Sequence, residues 1–150
     1  MKRINSLLLC GALFIACLTA GCSTERTEWI NRGEWVYNNA STHTIEITGV
    51  YTGLQFGTDD SFTLLPGDSH TIDVRSEGPK EIPAEAMPFP LGFTSSGRSS
   101  IIVDGETTVV LQADKGLCDR NEYEVEKLGR AHYRFTCTIT DETVEDLLTE

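Results

Sequence analysis

Nowhere in these 150 residues is there an apolar run long enough to cross a bilayer. The longest, LLLCGALFIACLTA from Leu7 to Ala20, has 14 residues, against the roughly 20 that a spanning helix needs. Basic residues are scarce: 12 lysines and arginines face 23 acids, for a net charge of −11. Such a surface repels phosphate backbones, so no nucleic acid partner is expected. CxxC is absent, which leaves redox and zinc chemistry without support. The three histidines, His43, His70 and His132, stand at neither HxH nor HxxxH spacing. They read as solvent-facing strand residues, and no metal or cofactor is expected. Ser95-Ser96-Gly97-Arg98-Ser99 lacks the strand–turn–helix flanks of a hydrolase elbow and reads as a hydrogen-bonding loop. Asp59, Asp60 and Asp68 lack the alternation and terminal bidentate acid of a calcium loop, so turn chemistry explains them better. Asn39-Ala40-Ser41 matches a glycosylation sequon but also reads as a turn. No catalytic residues emerge, and the chain is not expected to be an enzyme.

What is present begins with an address. Lys2 and Arg3 precede the apolar run, whose length fits the h-region of a secretory signal. Leu18-Thr19-Ala20-Gly21-Cys22 closes it and resembles the lipobox of bacterial lipoproteins, although Thr19 departs from the favoured aliphatic residue. The resemblance implies acyl chains on the Cys22 sulfur and cleavage after Gly21, with residues 1–21 removed. One chain holds a protein marginally, at about 0.8 kcal/mol per buried CH₂, whereas two or more hold it stably. Ser23, rather than aspartate, follows the cysteine, which by the enterobacterial sorting pattern favours the outer membrane. Glu25 and Glu28 resemble the acids of surface-exported lipoproteins, interrupted by Arg26, so periplasmic and surface facing both stay open.

Without residues 1–21 the chain has 129 residues, enough for one core. Loss of Lys2 and Arg3 leaves 23 acids against 10 bases, a net −13. Cys10 and Cys17 leave with the signal and Cys22 is taken by lipid. Cys118 and Cys137 remain as a candidate disulfide in an oxidising compartment, with two buried thiols as the alternative. A bond closing that loop would contribute about 3 kcal/mol.

Along the mature chain, residues 22–33 read as a polar tether and 34–150 as a single domain. Alternation and β-branched runs predict strands over 34–38, 43–48, 61–65 and 70–74, with Pro66-Gly67-Asp68 as a turn. Four of the five prolines fall in 76–100, which reads as a long loop with Phe89, Leu91 and Phe93 tucked against the core. Asp104-Gly105 between 99–103 and 107–112 predicts a type I′ hairpin. Residues 122–128 would point Tyr123 and Val125 inward, and 132–140 would do the same with Tyr133, Phe135, Cys137 and Ile139. If Tyr123 lies opposite Tyr133, Cys118 faces away from Cys137 unless the chain breaks at Asp119-Arg120-Asn121. Asp141 is the expected N-cap of a short helix striped by Val144, Leu147 and Leu148. The sum is all-β: an antiparallel, immunoglobulin-like β-sandwich of about seven to eight strands with a short C-terminal helix.

Three pieces, WVYNNASTHTIEI, FTLLPGDSHTIDV and YRFTCTITDETVEDLL, resemble a set of small lipoproteins from gut Bacteroidales. Val144 stands where that set would have an aromatic. The resemblance implies an immunoglobulin-like sandwich tethered in the envelope, and brings no activity. Trp29, Trp35 and Tyr37 are candidates for stacking on a sugar; for Trp35 a core role competes. The expectation is a non-enzymatic interaction domain for an unknown protein or glycan, lipid-anchored at Cys22 on the outer membrane. Its alternatives are a structural part of an envelope or fimbrial assembly and an accessory enzyme acting on glycans, which would need two carboxylates flanking a cleft.

Overall fold

A computed structural model describes residues 29–51, 60–94 and 97–149. The signal segment, Cys22, the chain through Glu28, Asp59 and Ser95-Ser96 lie outside those residues. No helix among the described residues is long and apolar enough to cross a membrane.

Among the described residues there are ten strands and one α-helix: β1 (Trp29–Asn39), β2 (Ile45–Val50), β3 (Asp60–Leu64), β4 (Ser69–Gly78), β5 (Phe93–Thr94), β6 (Gly97–Arg98), β7 (Ser100–Val103), β8 (Thr107–Val110), β9 (Glu124–Gly129), β10 (His132–Ile139) and α1 (Asp141–Thr149). Two four-stranded sheets, ordered β4-β1-β10-β9 and β3-β2-β7-β8, make a sandwich, and β5-β6 form a small ribbon. The all-β architecture and short C-terminal helix are as expected. One pair departs from antiparallel order: β1 and β10 run parallel, in register from Arg32 opposite His132 to Asn39 opposite Ile139.

Strict alternation makes β10 legible: Tyr133, Phe135, Cys137 and Ile139 are buried, while their neighbours face outward. The first strand is longer than its apolar pattern. The sequence assigns 29–33 to a tether, yet β1 starts at Trp29 and pairs with β4 from there. Asn31 hid the strand, because a polar residue occupies an inward position. It is buried, its amide nitrogen 3.4 Å from Ser76 O and 3.3 Å from Lys80 O, while its oxygen accepts from Ile82 N at 3.0 Å.

Trp35 anchors the interior at 0 % exposure, stacked on Phe135 at 4.0 Å between centroids and edge-on to Phe89 at 4.6 Å and Tyr123 at 5.3 Å. Phe89 comes from the proline-rich crossing, which runs over the core with Met87 and Leu91 buried. Arg120 fastens it, donating to Met87 O at 2.6 Å with its guanidinium 5.2 Å from the Phe89 ring. Gly33 makes room beneath, since a Cβ there would meet Met87 Cε at 3.0 Å and Trp35 Nε1 at 3.1 Å.

The turns follow local chemistry. Asp104 and Gly105 both have positive φ, 53° and 71°, and Glu106 N donates to Val103 O at 3.0 Å, as a type I′ hairpin requires. Pro66-Gly67 also turns, but joins β3 to β4 across the sandwich rather than closing a hairpin. The helix is capped by Thr140, not by Asp141: Thr140 and Thr143 exchange hydroxyl-to-backbone bonds at 3.2 Å. Asp141 instead accepts from Thr42 N at 2.7 Å and Thr42 Oγ1 at 3.0 Å. Val144 and Leu147 are buried, whereas Leu148 is 44 % exposed. Val125, expected inside, is 53 % exposed on the edge strand β9, where it lies opposite Phe135.

Trp35→Ala should lower unfolding free energy by about 3–5 kcal/mol, whereas exposed Val125→Ala should stay within about 0.5 kcal/mol. Urea denaturation of both variants checks the core assignment; equal losses would contradict it.

Candidate functional site

Among the described residues a groove of about 400 Å³ lies beside α1. Leu117, Cys137 and Leu147 contribute apolar lining, and Glu122, Glu142 and Asp146 contribute carboxylates. Glu142 and Asp146 sit four residues apart, hence on one helix face. That spacing is readable in sequence, but the approach of Glu122 is not, since the chain folds back through short 3-10 turns over Gly116–Cys118 and Arg120–Glu122. Thr138, Thr140 and Thr143 add hydroxyls, two of them engaged in the helix cap.

Burial pushes the Cys137 thiol up to about 12, and that of Cys118 up to about 11. Both are free and buried, so of the two alternatives the structure has the pair of thiols and not the disulfide. The break required near residues 119–121 exists, with the Asp119 carboxylate accepting from Asn121 N at 2.9 Å. The register considered for the neighbouring strands does not: Tyr133 lies opposite Lys127, and Tyr123 precedes β9. The Tyr123 hydroxyl donates to Leu117 O at 2.7 Å and lies 3.3 Å from that of Tyr37. Burial raises both phenols well above their ordinary range. This is a polar knot inside an apolar core.

The histidines occupy three separate environments, none within the groove. His43 lies in the β1–β2 connection, not in a strand, its Nδ1 2.7 Å from an Asp104 oxygen. Nearby Ser41 is engaged elsewhere, donating to Asn39 Oδ1 at 2.7 Å, so the three residues do not form a triad. Asn39 is itself buried and donates to His43 O and Leu64 O, which commits the amide of the sequon to the turn. His70 stacks on Phe62 at 4.1 Å. His132 Nε2 is 2.8 Å from Glu34 Oε1, and Arg134 grips Glu34 Oε2 at 3.1 and 2.9 Å. The Arg134 bonds hold the Glu34 carboxyl below the usual carboxylate range. Burial opposes that shift, and His132 adds to it. Among the described residues no group of three or more His, Cys, Asp or Glu is placed to hold a metal ion.

Two of the candidate sugar-stacking rings are withdrawn by burial: Trp35 and Tyr37 are at 0 % exposure. Trp29 is half-buried at the start of β1, and the Arg130 guanidinium lies 4.0 Å over its ring. The Ser99 hydroxyl, buried, donates to Gly49 O at 2.6 Å and accepts from Gly92 N at 2.9 Å, a structural tie. Comparison with protein-family models, curated proteins and solved structures finds no match to the chain.

His43 should titrate above 6.5, chiefly through its bond to Asp104, and His70 below 6.5 through burial. His43 therefore favours folding below pH 6.5, an effect lost as pH rises through its folded pKa; His70 costs stability as pH falls below 6.5. NMR titration of the ring protons checks the order, and Asp104→Asn should return His43 toward 6.5. With Cys10, Cys17 and Cys22 replaced by serine, native protein should leave both remaining thiols unreacted with a disulfide reagent at pH 8, releasing two equivalents only after denaturation.

Proposed function

We propose that this chain is a lipid-anchored protein of a bacterial cell envelope, held on the outer membrane by acyl chains on Cys22. Its sandwich, read as immunoglobulin-like, serves as a non-enzymatic interaction domain for a protein or glycan. The observation that carries the reading is Leu18-Thr19-Ala20-Gly21-Cys22 at the end of a 14-residue apolar run with a basic start. The place of the fold supports it: the first described strand begins at Trp29, seven positions after the cysteine. The groove beside α1, walled by carboxylates and hydroxyls, suits a partner rich in hydroxyl or cationic groups.

A structural role in an envelope or fimbrial assembly is the second reading. It is favoured by β8, an edge strand without a charged side chain, on which Val110 is 50 % exposed. Edges of that kind invite a further strand.

Fractionation of cells making the wild-type chain and Cys22→Ala tests the anchor. Wild type should sediment with membranes and carry acyl mass on Cys22, and the variant should become soluble. A wild type without acyl mass on Cys22 would refute the reading. Protease treatment of intact cells then separates surface from periplasmic facing.

A further inference from the structure

Charge is divided unevenly between one end of the β4-β1-β10-β9 sheet, with its loops, and the rest of the described residues. Of the nine lysines and arginines among the described residues, six lie toward the end where β1 starts: Arg32, Arg75, Lys80, Lys127, Arg130 and Arg134. The acids there are five: Glu34, Asp73, Glu77, Glu81 and Glu126. Lys127 and Glu81 are paired at 3.2 Å, and so are Arg134 and Glu34 at 2.9 Å. The remaining described residues carry 14 acids against three bases, and the tail of the chain from Asp141 adds four of those acids. One end is thus close to neutral and the rest strongly negative.

The same near-neutral end carries apolar groups at its tip. Ile30 is 57 % exposed, and Trp29 beside it is half-buried under Arg130, which belongs to the β9–β10 turn. Lys80 is exposed just beyond the last residue of β4, itself opposite Trp29. An indole, an aliphatic side chain and two cations at one tip match a membrane–water interface, where tryptophan sits at headgroup level and lysine or arginine meets anionic lipid.

We propose that this tip rests on the bilayer surface, Trp29 and Ile30 entering the interface and Lys80 and Arg130 lying on anionic headgroups. The inference depends on the lipidation of Cys22. The seven residue steps from Cys22 to Trp29 span at most about 25 Å, so an anchored chain holds this end, and no other, close to the membrane. The acidic bulk of the domain is repelled by the same headgroups and turned outward, which leaves the groove beside α1 open to solvent.

Acylated full-length protein, its Cys22 adduct verified by mass spectrometry, is placed in phosphatidylcholine–phosphatidylglycerol vesicles with some phosphatidylcholine brominated near the headgroup. Bromine should quench part of the wild-type tryptophan emission and none in Trp29→Phe, because the remaining Trp35 is at 0 % exposure. The surface variant Ile30→Glu/Lys80→Glu/Arg130→Glu should lose the quenching while keeping its acyl chains. Acylated wild type without quenching, equal quenching in Trp29→Phe, or persistent quenching in the triple variant would each overturn the proposal. A Cys22 without acyl mass would overturn the anchoring reading beneath it, and mass spectrometry distinguishes that failure from the others.

Discussion

The parallel pairing of β1 with β10 is the constraint on which the rest of the molecule depends. It joins segments a hundred residues apart, with Trp35 set opposite Phe135 and their rings stacked at 4.0 Å. Because β4 takes the other edge of β1 and β9 the other edge of β10, both strands are central to their sheet. Hydrogen bonds on both sides and an aromatic stack beneath make this seam the hardest part of the fold to open. The crossing loop, with Met87 and Phe89, then has a fixed surface on which to lie. A seam between segments so far apart in sequence carries a loop-closure cost, and topologies rich in such contacts fold slowly.

From that seam the chemistry divides by face. Inward positions hold the aromatic core and the Tyr37–Tyr123 hydroxyl contact, in an environment that keeps both cysteines protonated. Outward positions of the same two strands carry Glu34, His132 and Arg134, bonded across the sheet. Glu34 is the most buried of the three side chains, so the cluster sits half in solvent, where ion pairs contribute modestly to stability. The groove beside α1 arises at the far end, where the chain leaves β10 and the helix turns back over the core. It places the carboxylates of Glu122, Glu142 and Asp146 around an apolar floor.

Legibility in the sequence varied with the distance over which each residue's partners act. The hairpin at Asp104-Gly105 was readable because two adjacent residues of positive φ demand Asp or Gly. The inward face of β10 was readable because each side chain alternates within one strand. The start of β1 was not, since Asn31 is satisfied by main-chain groups from residues 76, 80 and 82. Val125 misled because alternation reports a face but not whether anything covers it at a sheet edge. The groove was half visible: Glu142 and Asp146 announce themselves by helical spacing, whereas Glu122 joins them only through a fold-back that no local pattern encodes.

By itself the sequence determined the class of fold, the turns, the acidity and the lipobox-like address, because these rest on composition or on neighbours within a few residues. Tertiary structure alone decided which ends meet, that β1 and β10 run parallel, that Trp35 and Tyr37 are interior and that Cys118 and Cys137 stay apart as thiols. It alone gathered the bases toward the end where the chain enters the fold. The physical reason is common to all of these: strand pairing, burial and charge clustering are properties of residues brought together across the chain, and a one-dimensional pattern constrains each residue's face without naming its partner.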